Sequence, residues 1–311
     1  MTTFGWLAQP AVLPWVALAF GLCIGSFLNV VIHRLPKMLE REWLVQAPEV
    51  LEEASALKSS AQARQLAGAV RKLIEPVIRE RVGLVLPRSH CPSCAHLISA
   101  WQNIPVVSYL LLRGRCANCR APISLRYPVI EIVAGLGALY SAYRFGVSAQ
   151  MVAAAVFFWA TLALAVIDQQ TGFLPDDITL PLLWTGLLFN VPGTFVPLSE
   201  AVLGAAAGYL VLWLINATFR ALRGIDGMGA GDFKMTAAVG AFLGWKALLM
   251  VILLSSVVGL IFGSVQMLAA RRGVDLKFRF HFGPYIAIAG VVAMFWGPYL
   301  IQRYPALRPF P

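Results

Sequence analysis

Two aspartates at the edges of apolar runs, and four cysteines in two pairs, are the side chains with the clearest chemistry in this sequence. Asp168 ends the apolar run from Val152 to Ile167, and Asp232 follows Gly227-Met-Gly229-Ala-Gly231 immediately before a new apolar stretch. Ionisable groups at such positions are costly and serve function or pair with one another. Two carboxylates brought close share a proton, which supplies one base to activate water and one acid to protonate a leaving amine. Structural readings stand beside this one. Asp232 also suits the N-cap of the helix that follows it, and Asp168 suits a solvated helix end. Asp176 and Asp177 follow Pro175 and precede Ile178, the pattern of a helix cap. The glycine run has a nucleotide-loop reading as well, but an apolar span rather than a β-strand precedes it, so that context is missing. Close backbone approach to a substrate chain fits the absent side chains better.

The cysteines form Cys91-Pro-Ser-Cys94 and Cys116-Ala-Asn-Cys119, two C-x-x-C pairs separated by 21 residues. Each pair offers two thiolates from one turn, and two such turns close the tetrahedron that Zn²⁺ prefers. Four sulfur ligands leave no open position for water, so the metal is expected to be structural. A redox pair or four unrelated thiols is the alternative reading. No H-E-x-x-H is present, which argues against a zinc protease. Cys23 lies within an apolar run and reads as a small packing residue.

The elements that must position these groups are apolar. Only 13% of the 311 residues are charged, against about 25% in ordinary soluble domains, and mean hydropathy is +0.73. These values exclude a typical water-soluble globule. Several apolar stretches approach or exceed the ~17 to 25 residues needed to cross the hydrocarbon as helix, and helices satisfy their own backbone hydrogen bonds in lipid. The expected fold class is an all-α polytopic membrane protein of about eight transmembrane helices. The expected spans are residues 11–32, 128–146, 150–168, 178–191, 199–219, 233–246, 248–270 and 284–301, with the fourth and sixth short. The N-terminal run exceeds a secretory core in length and reads as the first span.

Residues 33–127 hold 14 of the 25 Lys and Arg and 7 of the 15 Asp and Glu. The expected organisation is therefore a first span over 1–32, a water-facing zinc domain over 33–127 and a seven-helix core over 128–311. Within the middle block, 40–80 reads as surface or amphipathic helix, and Pro36 reads as a helix end. Excess Lys and Arg place the block on the cytoplasmic side. Charge in the loops that follow the third, fifth and seventh spans, the last running from Arg271 to Arg279, agrees with both termini outside. The net charge of +10 needs no nucleic acid; topology and anionic headgroups account for it.

Gly229-Ala-Gly231-Asp232-Phe-Lys234 resembles the G-x-G-D signature of intramembrane aspartyl proteases. The stretch from Gly25 through Asn29, His33 and Arg34 to Pro36, the paired C-x-x-C with Asn103-Ile-Pro105 between, and Arg126-Tyr-Pro128 with Glu131 extend the likeness. So do Leu174-Pro-Asp176 and His281-Phe-Gly283-Pro-Tyr285. Together they resemble the bacterial type IV prepilin peptidases over nearly the whole chain. The resemblance implies Asp168 and Asp232 as the catalytic pair, and prepilins and type II secretion pseudopilins as substrates. It further implies cleavage at the cytoplasmic face of the inner membrane and N-methylation of the new amine with S-adenosylmethionine. For the methyl-donor site it offers only weak candidates, around Leu112-Arg-Gly114-Arg115 and at Glu131. His33 and Arg34 are as readily interfacial anchors as substrate contacts, and His281 reads as an interfacial residue rather than a catalytic one. Two alternatives remain at this point: a noncatalytic transporter or assembly scaffold with a zinc-ribbon domain, and a methyltransferase that does not cleave.

Overall fold

The computed structural model describes residues 9–58, 61–79, 83–269 and 281–303. The basic loop from Arg271 to Arg279 and both chain ends lie outside the described residues. Among those described, regular structure is helical: α1 (Leu13–Lys58), α2 (Ala61–Arg79), α3 (Val107–Leu111), α4 (Arg126–Phe145), α5 (Ala149–Thr171), α6 (Asp176–Asn190), α7 (Leu198–Arg223), α8 (Ala230–Leu243), α9 (Trp245–Ala269) and α10 (Gly283–Arg303), with one 3₁₀ turn at Ala100–Asn103. Only two isolated β-bridges accompany them.

Among the described residues, five helical segments are long and apolar enough to cross a bilayer: Leu13–Val50, Ala149–Thr171, Leu198–Arg223, Trp245–Val265 and Gly283–Arg303. Helix forms at each of the eight expected positions, but three fall short of a span by length or composition. With 15 and 14 residues, α6 and α8 rise only ~21 to 23 Å against ~30 Å of hydrocarbon. Arg126, Glu131 and Arg144 in α4 dilute its apolar character.

The first helix corrects one expectation. Pro36 does not end it; α1 runs for 46 residues with Pro36 and Pro48 inside. A proline removes one helical hydrogen bond, and tertiary anchoring of the turn just before it offsets that loss. Ile32 and Leu35 are buried, and the Arg34 guanidinium donates to the Gly83 carbonyl at 2.8 Å. The expected helix over 40–80 is present, as the end of α1 followed by α2.

The chain divides into two compact units, residues 1–25 with 131–311 and residues 26–130. Within the smaller unit, the buried Asn29 of α1 donates to the Tyr127 carbonyl of α4 at 3.0 Å, the interhelical bond its polar type predicts. The larger unit is a helical bundle in which α8 packs against α6 and α7, and α10 against α5 and α9. Phe157, Leu164, Met235, Val239, Phe242 and Ile286 form its centre, with the Phe157 and Phe242 rings 5.0 Å apart. One amide fixes the far end of α8. The buried Asn190 donates to the Ala241 and Phe242 carbonyls, both at 2.9 Å, and accepts from the Phe195 and Val196 amides. A polar side chain at this depth is tolerated because its hydrogen-bonding capacity is filled.

Candidate active site

Three helix ends converge on the aspartates. Helix α5 opens on Ser148, whose hydroxyl accepts from the Met151 amide at 3.2 Å, and closes at Gly172, a left-handed C-cap at φ 74° whose amide donates to the Asp168 carbonyl. Asp168 therefore belongs to the last turn of α5, still inside the bundle, with 5% of its surface exposed. Helix α8 opens on Gly229 as N-cap, which places Asp232 in its first turn, 8% exposed. The reading of Asp232 as the N-cap is thus corrected: Gly229 takes that role, and the Asp232 amide donates to the Gly229 carbonyl at 3.1 Å. A carboxylate in the first turn faces the positive end of the helix macrodipole.

Asp168, although near the end of its own helix, faces the start of another. The amide of Gly283, first residue of α10, donates to Asp168 Oδ2 at 3.2 Å. This amide is one of the donors that a helix start leaves without an internal partner. Gly283 is required by the approach, because a Cβ there would lie 2.7 Å from the same oxygen. The two carboxylates, one from α5 and one from α8, lie close enough for their charges to interact. His281 reaches Asp168 electrostatically as well.

Leu174 sets the spacing of these ends. Its Cβ would sit 2.8 Å from a Cβ at Gly231, and its Cδ2 3.2 Å from one at Gly283. The buried leucine thus wedges between the starts of α8 and α10, and only glycine at 231 leaves room for it. The next residues correct a second expectation. Pro175 is the N-cap of α6 and no side-chain cap forms. Asp176 instead accepts from Lys234 Nζ at 2.8 Å and 2.6 Å through its two oxygens, which ties the α5–α6 turn to α8 two residues beyond Asp232. Charge pairing outcompetes capping because Lys234 approaches across the helix pair.

Asn216 carried no sequence motif, yet it organises the turn before the glycines. Its Oδ1 accepts from the Gly227 and Met228 amides at 2.9 Å and 3.1 Å, and its Nδ2 donates to Asp226 Oδ1 at 3.1 Å. Nothing in a single sequence marks an asparagine in an apolar helix as the partner of a turn eleven residues on.

The four cysteines meet as their spacing requires. Their sulfurs all lie within 4.8 Å of one another, and Cys91 and Cys119 are 3.7 Å apart. A tetrahedron with Zn–S of ~2.3 Å has edges of ~3.8 Å, so this donor set fits zinc. None of the four is in a disulfide. The two turns are copies. The Cys91 amide donates to the His96 carbonyl as the Cys116 amide donates to Ala121. His90 bridges Leu97 as Arg115 bridges Pro122. Ala95 and Arg120, each just past the second cysteine of its pair, take left-handed φ values of 55° and 62°. Amides of Cys119 and Asn118 donate towards Cys116 and lower its thiol pKa to about 6, while, against the lowering effect of the Ala121 backbone, Cys94, burial and the other two thiols raise that of Cys119 to about 11. Asn118 Nδ2 donates to Cys94 Sγ at 3.6 Å, linking one turn to the other. Arg113 and Arg115 are exposed beside this centre, whereas Glu131 is buried at the start of the larger unit's second segment.

Similarity to known proteins agrees with these motifs. Residues 19–145 match the family model of the bacterial peptidase A24 N-terminal domain, and residues 155–264 match that of the type IV leader peptidase family. A prepilin leader peptidase/N-methyltransferase of Aeromonas salmonicida (strain A449) is 47% identical over 296 residues, covering 94% of this chain and 95% of the relative. The protein of the same name from Stutzerimonas stutzeri is 45% identical over 307 residues, 98% of both chains. That from Pseudomonas aeruginosa is 42% identical over 298 residues, 96% of this chain and 95% of the relative. No solved structure matches. Matches to both domain models and near full-length identity to these relatives place the chain in the type IV leader peptidase family, the bacterial prepilin peptidases whose motifs it carries.

Proposed function

We propose that this membrane protein removes the leader peptide from type IV prepilins and type II secretion pseudopilins by an aspartyl mechanism centred on Asp168 and Asp232, and then methylates the new N-terminal amine. The observation that carries the reading is the pair of buried carboxylates, held at the starts of α10 and α8 within reach of each other's charge. Acting as a coupled pair that shares one proton, the dyad draws a proton from water as its oxygen attacks the scissile carbonyl. It then returns a proton to the amine as the C–N bond breaks. The Gly283 amide and the Leu174 wedge hold the pair in register, so the site is organised before substrate arrives.

In this reading the chain crosses the bacterial inner membrane eight times, with α4, α6 and α8 completing the five long spans by tilting or by local thinning of the bilayer. The domain over 33–127 and both aspartates face the cytoplasm. Excess Lys and Arg in that block support the orientation. The four cysteines hold a structural zinc ion that braces a segment with little apolar core. S-adenosylmethionine supplies the methyl group, the role the relatives' name implies.

The test is incubation of the purified, lipid-reconstituted chain with a prepilin, with and without S-adenosylmethionine, read by mass. Loss of the leader, and gain of a methyl only when the donor is present, is the expected result. Normal cleavage by Asp168→Asn or Asp232→Asn sinks the aspartyl mechanism, and a methyl gained without loss of the leader sinks the peptidase reading.

A further inference from the structure

Of the four histidines in the chain, only His281 lies within residues 131–311, the segment that carries both aspartates. Its partly buried imidazole packs over the end of α5. A Cβ at Gly172, the C-cap of that helix, would lie 3.2 Å from the ring's Nε2 and 3.5 Å from its Cδ2. Gly172 in turn donates its amide to the Asp168 carbonyl at 2.8 Å. Two features hold the ring there. The left-handed glycine leaves room for it, and the next residue, Phe282, is fixed to the start of α10. The Phe282 carbonyl accepts from the Tyr285 and Ile286 amides at 3.1 Å and 3.2 Å, and its ring meets that of Tyr285 edge to face. The carbonyl end of a helix carries partial negative charge, which favours a cation at this place.

The two carboxylates therefore have unequal surroundings. Asp168 receives the Gly283 amide and lies within reach of the His281 charge. Asp232 has a backbone hydrogen bond from Gly229, and the charge that acts on it is that of Asp168. Among the described residues, the other titratable groups on the helix ends that meet here are Asp176 and Lys234, which neutralise each other, the exposed Asp177, and the Tyr285 phenol. Resting on the leader-peptidase reading, we infer that His281 is a positioning residue of the dyad: as imidazolium it keeps the negative charge on Asp168, so that the shared proton resides on Asp232 when substrate arrives. The two aspartates then have distinct roles. Asp168 takes a proton from water as the water oxygen bonds to the scissile carbonyl carbon, and Asp232 gives its proton to the nitrogen as the C–N bond breaks. The proton gained by Asp168 passes to Asp232, which restores the starting pair. His281 neither touches the reacting atoms nor exchanges a proton in the cycle.

The test is the pH profile of kcat/KM for prepilin cleavage, which reports the ionisation of the free enzyme, measured by mass with the full-length chain in lipid nanodiscs. His281→Gln keeps a polar side chain and removes the charge. Without the cation the dyad needs a higher pH to lose its first proton, so the acid limb is expected to move up by about one pH unit, the low end of what an opposite charge beside a carboxylate produces. His281→Lys restores a cation and is expected to return the limb to its place in the unaltered chain. A limb is a position on the pH axis rather than an amplitude, so a variant that folds only in part still reports it. An acid limb left in place by His281→Gln overturns the inference, whether activity is full or is lowered equally at every pH, the mark of a purely structural role. A limb moved equally by Gln and Lys overturns it too, because charge is then not the cause. If the unaltered chain cleaves no prepilin, the leader-peptidase reading itself fails and the role of His281 with it; cleavage with an unmoved limb removes that role alone.

Discussion

The aspartate site and the cysteine site solve the same problem, holding reactive groups in fixed geometry, by opposite means. The cysteine centre is local: each pair sits in a turn of six residues, and the two turns repeat the same hydrogen bonds and the same left-handed residue. The aspartate centre is distributed. Asp168, Leu174, Asp232 and Gly283 come from three helix ends and one interhelical turn, and they meet only because α8 packs on α6 while α5 packs on α10. The geometry of one site fits closure by a metal and that of the other needs a packed bundle, so each should fail separately. The strongest way to break this comparison is to remove one carboxylate. Asp168→Asn and Asp232→Asn should each lower leader cleavage roughly 10³-fold or more, because members of a catalytic unit are not additive, while the metal content of the purified chain stays unchanged. Loss of metal along with activity would show that the two sites are not independent.

Cys116→Ser attacks the other side. One ligand fewer leaves a three-sulfur site, and structural zinc contributes folding free energy directly. Metal analysis should fall from about one ion per chain to near zero. Limited proteolysis should then cut within 83–127 while the bundle formed by 131–303 survives. Cleavage spread equally over both regions would mean that the metal braces more than its own turns.

How much of each site could be read from the sequence follows from the same contrast. Cys91, Cys94, Cys116 and Cys119 announce their geometry through spacing, since ligands three residues apart share one turn. The two aspartates were legible as acids at apolar edges, and a family resemblance paired them; periodicity places each on its helix but carries no information about which helix ends meet. Leu174 was legible as part of a motif but not in its role, and Asn216 was not legible at all, because a leucine acquires a role only from the glycines it packs on, and an asparagine only from the turn it binds. The capping reading of Asp176 failed for a related reason: Lys234, the competing partner, is 58 residues away. Pro36 misled in the opposite direction, since a local breaker was overruled by the burial of Ile32 and Leu35.

Gly283→Ala sharpens the distributed site at a single atom. The added methyl meets Asp168 Oδ2 at 2.7 Å, and the carboxylate has to swing away from the Gly283 amide to clear it. Misplacement of about 1 Å costs on the order of 10² in rate, so kcat should fall by that factor with KM little changed. A weaker dependence is expected for the ion pair that ties the α5–α6 turn to α8. Lys234 is 28% exposed and Asp176 53%, so screening by solvent limits Lys234→Met to a loss of about 1 kcal/mol or less. Exchanging the two residues, Asp176→Lys with Lys234→Asp, should recover part of it in a thermal melt.

The smallest effect discriminates between the two kinds of architecture most directly. Ala95 holds a left-handed backbone at φ 55°, a conformation that costs an L-residue about 1 kcal/mol or more. Glycine removes that cost but adds freedom to the unfolded chain, an opposing effect of about 0.4 to 1 kcal/mol. If the cysteines hold the proposed zinc, Ala95→Gly should therefore leave that unit's resistance to chelator-induced unfolding unchanged or raised by about 0.5 kcal/mol. The same exchange in the bundle, Ala163→Gly in α5, meets ordinary helical backbone at a position 1% exposed. It should cost about 1 kcal/mol, since no strain is relieved. Opposite signs for one substitution would show that the cysteine turns carry backbone strain that the metal holds in place. If Ala95→Gly costs as much as Ala163→Gly, the turns are unstrained and the metal has less to hold.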